Sequence, residues 1–71
     1  MTKVLSNNIR KLRFNADEMT QQQLADLVEV SRQTIVAVEK GKYSPSLEVA
    51  FKIADVFEIP IGDVFKYTEQ H

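Results

Sequence analysis

Residues 20–41 read TQQQLADLVEVSRQTIVAVEKG, and their apolar positions recur with the period of two short amphipathic helices. The first helix is opened by Thr20 and Gln23, which form a capping-box pattern. In such a box the hydroxyl and the amide satisfy backbone N–H groups reciprocally. We therefore predict that this helix begins at Gln21.

The second helix of this segment has signals of its own at both ends. Ser31 can cap its free backbone N–H groups, and Gly41 follows as a left-handed stop. These signals predict a helix over residues 32–40. Because the turn before it is short, residues 21–40 are predicted to form a helix-turn-helix.

The outer face of the second helix carries side chains that suit the major groove of DNA. They recur at helical spacing opposite two apolar residues, and they are Arg32, Gln33, Val36, Ala37 and Lys40. Arginine pairs bidentately with guanine, glutamine pairs with adenine, and small apolar side chains contact the thymine methyl. On these residues alone, a merely solvated helix face explains the pattern equally well.

Four spaced motifs extend beyond this helix. They are QQQLA at 21–25, VSRQTI at 30–35, VEKGK at 38–42 and SPSL at 44–47. Together they resemble the phage-repressor-like family of helix-turn-helix regulators, the lambda repressor and Cro type, and its short stand-alone members most of all. The resemblance covers residues 8–65. It implies an all-α fold, a five-helix lambda-repressor-like DNA-binding domain.

The resemblance also implies roles for individual side chains. The base-contacting residues are expected to be Arg32, Gln33, Val36 and Ala37. The phosphate-contacting residues are expected to be Gln21, Ser31, Lys40, Lys42 and Tyr43. Gln21 is further expected to steady Arg32. Val36 and Ala37 depart from the family, which often places polar groups there, so thymine contact and groove-facing filler both stay open.

Three other residues follow from the same resemblance. Arg13 and Glu39 are similar to an internal ion pair that links the first helix to the recognition helix in the family. The loop between Arg13 and the second helix is about one residue longer than usual. Glu29 stands where the family favours glycine, and a left-handed glutamate costs on the order of 1 kcal/mol.

Outside the helix-turn-helix, the pattern predicts three further helices. They cover residues 7–15, 47–57 and 61–65. Asn15 is expected to be the left-handed stop of the helix over residues 7–15. Leu47 and Phe51 are expected in the core-facing stripe of the helix over residues 47–57. Phe65 and Tyr67 alternate with polar residues, so this tail could pair as a strand with residues 3–5.

The composition favours one small domain, residues 1–71, without catalytic chemistry. The chain has no cysteine and only one histidine, His71 at its end, so it offers no disulfide, thiolate metal site or catalytic cluster. We expect a protein that is not an enzyme and has no cofactor or metal. The sequence shows no second domain, so we expect no small-molecule effector. The short apolar runs and the lack of a signal pattern predict a cytoplasmic protein without a membrane span.

The net charge of −1 is unfavourable for a nucleic-acid-binding protein, but its distribution is uneven. Residues 1–42 carry seven basic and five acidic side chains, whereas residues 43–71 carry two basic and five acidic. This asymmetry predicts a basic face towards DNA and an acidic end away from it.

Apolar residues near the C-terminus exceed what a small core needs, which predicts a two-fold dimer interface. Its residues are expected to be Ile61, Val64, Phe65 and Tyr67, with core packing as the alternative for Ile61 and Val64. The sequence thus predicts a sequence-specific double-stranded-DNA-binding transcriptional regulator. We expect a repressor that binds an inverted-repeat operator as a homodimer. The alternative is an antitoxin-like or other protein-interaction module with the same fold.

Overall fold

Five helices lie between two terminal strands in the computed structural model, which describes residues 2–69. The elements in chain order are β1 (Lys3–Asn7), α1 (Ile9–Asn15), α2 (Gln21–Val28), α3 (Arg32–Glu39), α4 (Leu47–Val56), α5 (Ile61–Val64) and β2 (Phe65–Glu69). The predicted five-helix fold and the terminal sheet are both confirmed. His71 lies outside the described residues.

The helix-turn-helix, α2 and α3, has the ends that its sequence predicts. The hydroxyl of Thr20 accepts from the backbone N–H of Gln23 at 3.0 Å, and the Gln23 side chain accepts from the N–H of Thr20 at 2.8 Å. Ser31 caps α3 by accepting from the backbone N–H of Thr34 at 3.1 Å. Gly41 has φ +74°, and its N–H and the next donate to carbonyls of the last turn of α3, each at 3.0 Å.

Two glutamates end helices in the left-handed conformation that glycine usually adopts. Glu29 follows α2 with φ +62°, and Glu58 follows α4 with φ +55°. After each of them the next N–H reaches back into the helix, to the carbonyl of Ala25 at 3.0 Å and of Ala54 at 3.2 Å. The prediction for Glu29 is confirmed, and the same turn occurs a second time in the chain.

The end of α1 differs from the prediction. Asn15 belongs to the helix, and the left-handed residues are Asp17 and Glu18, with φ of +57° and +55°. The turn closes later because the N–H of Met19 donates to the carbonyl of Arg13 at 2.9 Å. The prediction that Asn15 is the left-handed stop was wrong, since the longer loop moves the reversal two residues along the chain.

The core lies between the five helices. Its largest completely buried side chains are Ile9, Leu24, Val28, Ile35, Val38, Ile53 and Val64. Leu47 and Phe51 were predicted to join it, but their exposed fractions are 71% and 53%. That prediction was wrong because the core-facing side of α4 is narrow and is occupied by Ala50, Ile53 and Ala54.

The strands β1 and β2 pair antiparallel and form what we call the terminal ribbon. Leu5 faces Tyr67 and Asn7 faces Phe65. Only this last pair, at the base of the ribbon, is partly buried. The side-chain amide of Asn7 donates to the carbonyl of Val38 at 3.0 Å, which fastens the base to the end of α3. No helix of the described chain is long and apolar enough to cross a membrane.

Candidate nucleic-acid interface

The N-terminal turn of α3 presents two long polar side chains to solvent. Arg32 and Gln33 are both exposed, and they follow the capping residue Ser31 directly. Val36 and Ala37, one turn later, are half-buried. The four predicted base-contacting residues therefore divide into two that reach outward and two that offer only part of an apolar surface.

A nearly buried ion pair holds the C-terminal end of α3. The Nε of Arg13 donates to the Oε2 of Glu39 at 2.6 Å, and its Nη2 donates to Oε1 at 2.9 Å. The third arginine nitrogen donates to the carbonyl of Met19 at 2.8 Å. The exposed fractions of the two charged side chains are only 14% and 8%. The predicted pair between α1 and the recognition helix is confirmed, and its bidentate geometry fixes the orientation of α3.

Gln21 joins this ion pair from α2. Its side-chain amide donates to the Oε1 of Glu39 at 3.2 Å, so the carboxylate receives hydrogen bonds from both α1 and α2. The resemblance implied that Gln21 steadies Arg32, whereas in the chain alone its amide is directed to Glu39. Gln21 therefore orients α3 through the last residue of that helix.

A cleft of about 600 Å³ opens above this network. It lies between α1, the start of α2 and both ends of α3, and its lining residues are Arg10, Arg13, Glu18, Met19, Thr20, Gln21, Gln22, Arg32, Glu39 and Lys40. The free N–H groups at the start of α2 carry partial positive charge, which favours an anion there. The cleft brings together three of the predicted contact residues, namely Gln21, Arg32 and Lys40.

Arg10 is a cleft residue that the sequence analysis did not single out. It is exposed and lies one turn before Arg13 on α1. Since residues three apart share a helix face, this spacing could have identified it. With Arg13 paired to Glu39, Arg10 is the cation of α1 that remains available to an anion in the cleft.

Lys42 and Tyr43 lie apart from the cleft, on the loop that follows α3. Lys42 is exposed, and the exposed fraction of Tyr43 is 55%. Tyr43 lines a small cavity together with Pro45 of the same loop and Leu5 of the terminal ribbon. Of the predicted phosphate-contacting residues, Gln21 and Lys40 thus lie at the cleft, whereas Lys42 and Tyr43 lie on the loop after α3 and Ser31 caps the start of α3.

The helix-turn-helix family model matches residues 9–64 of the chain. The chain belongs to this family of phage-repressor-like transcriptional regulators. A DNA-binding function follows, and the resemblance seen in the sequence is confirmed. Members of the family are not typically enzymes.

Relatives of this regulator are found in archaea and bacteria. An uncharacterized HTH-type transcriptional regulator of Methanocaldococcus jannaschii is 57% identical over 51 residues, which cover 72% of this chain and 77% of the relative. YgzD of Bacillus subtilis, another uncharacterized HTH-type transcriptional regulator, is 39% identical and covers 94% of this chain and 100% of the relative.

Two further proteins add a repressor and a solved structure. The cryptic phage CTXphi transcriptional repressor RstR of Vibrio cholerae is 35% identical, covering 93% of this chain and 59% of the relative. The crystal structure of the transcriptional regulator VanUg has a TM-score of 0.78 at 25% identity, over 99% of this chain and 92% of that one. The regulator therefore shares nearly its whole fold with VanUg.

One exposed lysine of the regulator is engaged by carboxylates. The Nζ of Lys52 lies 3.3 Å from the Oε1 of Glu29 and 3.3 Å from the Oε2 of Glu48. The hydrogen bond that Lys52 donates to Glu29, and then the one that it donates to Glu48, raises the pKa of Lys52. Because two carboxylates already neutralise this ammonium group, Lys52 is a weaker candidate for phosphate contact than Lys40 or Lys42.

The predicted dimer residues occupy different environments in the regulator. Val64 is completely buried in the core of its own chain, which is the alternative to an interface role that the sequence left open for it. Ile61 and Phe65 are half-buried against the core. Tyr67 has an exposed fraction of 65%, and the Nζ of Lys3 lies 5.6 Å from its ring centroid. Of the four, Tyr67 offers the largest exposed surface.

Proposed function

We propose that this regulator is a sequence-specific repressor that binds an inverted repeat in double-stranded DNA as a homodimer, with α3 in the major groove. The observation that carries the proposal is that α3 is exposed at its start and fastened at its end. Its N-terminal turn exposes Arg32 and Gln33, while Arg13 and Gln21 hold its last residue, Glu39. A helix held in this way presents base-reading groups at a small cost in conformational freedom.

Arg32 and Gln33 are the groups that read base edges in this proposal. Recognition helices address bases with their N-terminal residues, and these two side chains are the exposed long ones in that turn. A bidentate contact of arginine with guanine, or of glutamine with adenine, discriminates by about 1 to 3 kcal/mol. The accessible parts of Val36 and Ala37 lie farther along the same face, where a thymine methyl would meet them.

The cleft beside α3 suits a backbone phosphate. Gln21 and the start of α2 supply N–H donors, and Arg10 and Lys40 supply positive charge. Lys42 and Tyr43 would hold a second stretch of backbone from the loop beyond α3. Ser31 already uses its hydroxyl to cap α3, so its phosphate contact would come from the same exposed turn. These contacts position the recognition helix and carry no sequence information.

The homodimer follows from the size of the site. One recognition helix reads only a few base pairs, and a two-fold dimer doubles that number on an inverted repeat with half-site centres roughly 34 Å apart. The acidic balance of residues 43–71 keeps this end away from the DNA and so leaves it accessible to a second copy. The likeness to the repressor RstR supports repression over activation.

The test begins with selection of bound sequences from a random duplex pool at a stated salt concentration. We expect an inverted repeat to be enriched. A stable complex with another protein, together with no enriched DNA sequence, would instead favour the antitoxin-like alternative.

Two variants then separate base reading from positioning. Arg32→Ala should lower specific affinity by about 1 to 3 kcal/mol and relax the preference at one base position. Lys42→Ala should weaken all duplexes about equally and flatten the slope of log affinity against log salt by roughly one unit. An unchanged base preference in Arg32→Ala would contradict the assigned readout.

A further inference from the structure

The terminal ribbon directs some of its main-chain groups outward. The N–H of Asn8 donates to the carbonyl of Val64 at 2.9 Å, which extends the register of the ribbon by one pair. Facing pairs in an antiparallel ladder alternate between bonded and non-bonded, so the pair of Leu5 and Tyr67 is non-bonded. The N–H and C=O groups of Leu5 therefore point to one edge of the ribbon, and those of Tyr67 point to the other.

The base of β2 agrees with this alternation. The N–H of Phe65, two residues before Tyr67, donates to the carbonyl of Ile61 and not to β1. Alternate residues of β2 therefore turn their main chain away from β1, as the register requires. Tyr67 and Glu69 continue this outward series towards the end of the strand.

Both edges of the ribbon are uncovered in the part of the chain that the structure describes. The sheet has two strands there, and no proline interrupts either of them. Its faces are exposed as well, with exposed fractions of 36% for Val4, 40% for Leu5 and 65% for Tyr67. A two-stranded ribbon is marginal by itself, and an open, unprotected edge is a template for another strand.

Charge distinguishes the two edges. The segment that contains β1 and leads into α1, residues 3–11, carries three basic side chains and no acidic one. Contact of this segment with its own copy would bring like charges together. The segment that contains β2, residues 61–69, carries Asp63, Lys66 and Glu69, and thus both signs. The edge of β2 is therefore the self-compatible one.

The geometry points to a dimer seam in which β2 pairs antiparallel with β2 of a second copy, about a two-fold axis at Tyr67. The result is a continuous four-stranded sheet in the order β1, β2, β2, β1. This inference rests on the proposed homodimer and names its interface. It also explains why a domain with a complete helical core carries an exposed pair of strands.

The register at this seam satisfies the outward groups. The two Tyr67 residues face each other as a bonded pair, and each donates its N–H to the carbonyl of the other. On either side, the N–H of Glu69 reaches the carbonyl of Phe65 of the second copy, whose own N–H is already used within its chain. Lys66 then lies opposite Thr68, so no like charges face each other across the seam.

The side chains at the seam form one apolar row. Leu5 faces Tyr67 within each ribbon, so the row runs across all four strands as leucine, tyrosine, tyrosine, leucine. Facing aromatic residues in a sheet stabilise it beyond the main-chain bonds. Tyr67 thus acquires a neighbour on both sides, Leu5 of its own chain and Tyr67 of the second copy.

A pair of proline variants tests the seam. Tyr67→Pro removes an N–H that points away from β1, so the ribbon itself keeps its ladder while the seam loses its central bonds. Leu5→Pro makes the same change at the opposite edge and is the matched control. We expect Tyr67→Pro to raise the dimer dissociation constant about tenfold or more in sedimentation equilibrium, and Leu5→Pro to leave it unchanged.

Three outcomes would overturn the seam. Loss of the dimer in Leu5→Pro with retention in Tyr67→Pro would assign the interface to β1. An unchanged dimer in both variants would move the interface off the ribbon, with the exposed pair Leu47 and Phe51 as the next surface to mutate. A monomeric wild-type protein would remove the homodimer as well. Binding to an isolated half-site should persist in both variants, so failure of the seam stays separate from failure of DNA recognition.

Amide hydrogen exchange on the unmodified protein tests the same seam without any risk to folding. The N–H of Tyr67 should exchange more slowly as protein concentration rises through the dimer dissociation constant. The N–H of Leu5 should exchange at a rate independent of concentration, because it faces solvent in both states. Equal behaviour of the two amides would overturn the inference.

Discussion

The helix-turn-helix and the terminal ribbon differ in how far their main-chain hydrogen-bonding groups are satisfied within one chain. The ends of α2 and α3 are capped by side chains and turns of the same chain, and α3 is further fastened by the nearly buried pair of Arg13 and Glu39. The terminal ribbon is fastened at its base only, and no further strand pairs with the outward groups of Leu5 and Tyr67 among the described residues. The DNA-reading unit is thus complete in one copy, whereas the ribbon is left open to another.

This difference separates two requirements of a dimeric DNA-binding protein. Base readout needs a helix whose direction is fixed before contact, because misplaced side chains lose bidentate hydrogen bonds. Assembly needs accessible groups that are satisfied only in the pair. In this regulator a charged network inside the chain meets the first requirement, and the proposed seam would meet the second at an exposed strand edge.

The largest expected effect comes from a substitution in the ion pair that fastens α3. Glu39→Gln removes the charge that compensates Arg13 at a site where both side chains are nearly buried. An uncompensated buried charge costs about 3 to 5 kcal/mol, so the free energy of unfolding should fall by that amount. Urea denaturation followed by circular dichroism measures the change.

The matched control for this loss is Glu48→Gln. Glu48 also pairs with a cation, Lys52, but its exposed fraction is 78%. Water replaces an exposed pair at little cost, so the control should unfold close to the wild type. Equal losses in the two variants would show that the Arg13 and Glu39 pair contributes no more than a surface contact.

Substitutions of two valines, one in the core and one in the ribbon, compare the two regions through smaller losses in the free energy of unfolding. Val28, the last residue of α2, is completely buried, whereas Val4 of the ribbon has an exposed fraction of 36%. Val28→Ala removes two methyl groups from a packed core and should cost about 2 kcal/mol. Val4→Ala should cost less than about 0.5 kcal/mol when measured below the dimer dissociation constant. A loss in Val4→Ala as large as that in Val28→Ala would show that the ribbon is part of the folding core.

The features that could be predicted from sequence are mostly local. The capping box of Thr20 and Gln23, the cap at Ser31 and the stop at Gly41 each depend on neighbours within a few residues. The partners of these side chains are near in sequence, so the sequence alone already shows both members of each contact. For the same reason, the bounds of α2 and α3 agree with the prediction to within one residue.

The errors concern which surface an element meets. The period of α4 identifies its apolar stripe but not its covered width, so Leu47 and Phe51 were placed in the core. In the four-residue helix α5 no period can be read, so the sequence left Val64 open between the dimer interface and the core where it lies. The bond from Gln21 to Glu39 joins residues 18 positions apart, and only the packing of α2 against α3 brings them together.

The smallest expected effect compares two of the left-handed glutamates, Glu29 and Glu58. Glu29 lies in the turn of the helix-turn-helix, and Glu58 lies between α4 and the short helix that leads into the ribbon. Glycine relieves the strain of positive φ but gains freedom in the unfolded chain, so Glu58→Gly should stabilise the fold by about 0.5 kcal/mol. Glu29→Gly should gain less, because it also removes the contact with Lys52. The control Glu29→Gln keeps the strain and removes only the charge, and its urea midpoint therefore isolates the lost contact. A destabilising Glu58→Gly would mean that the left-handed glutamate turn carries no net strain relative to glycine.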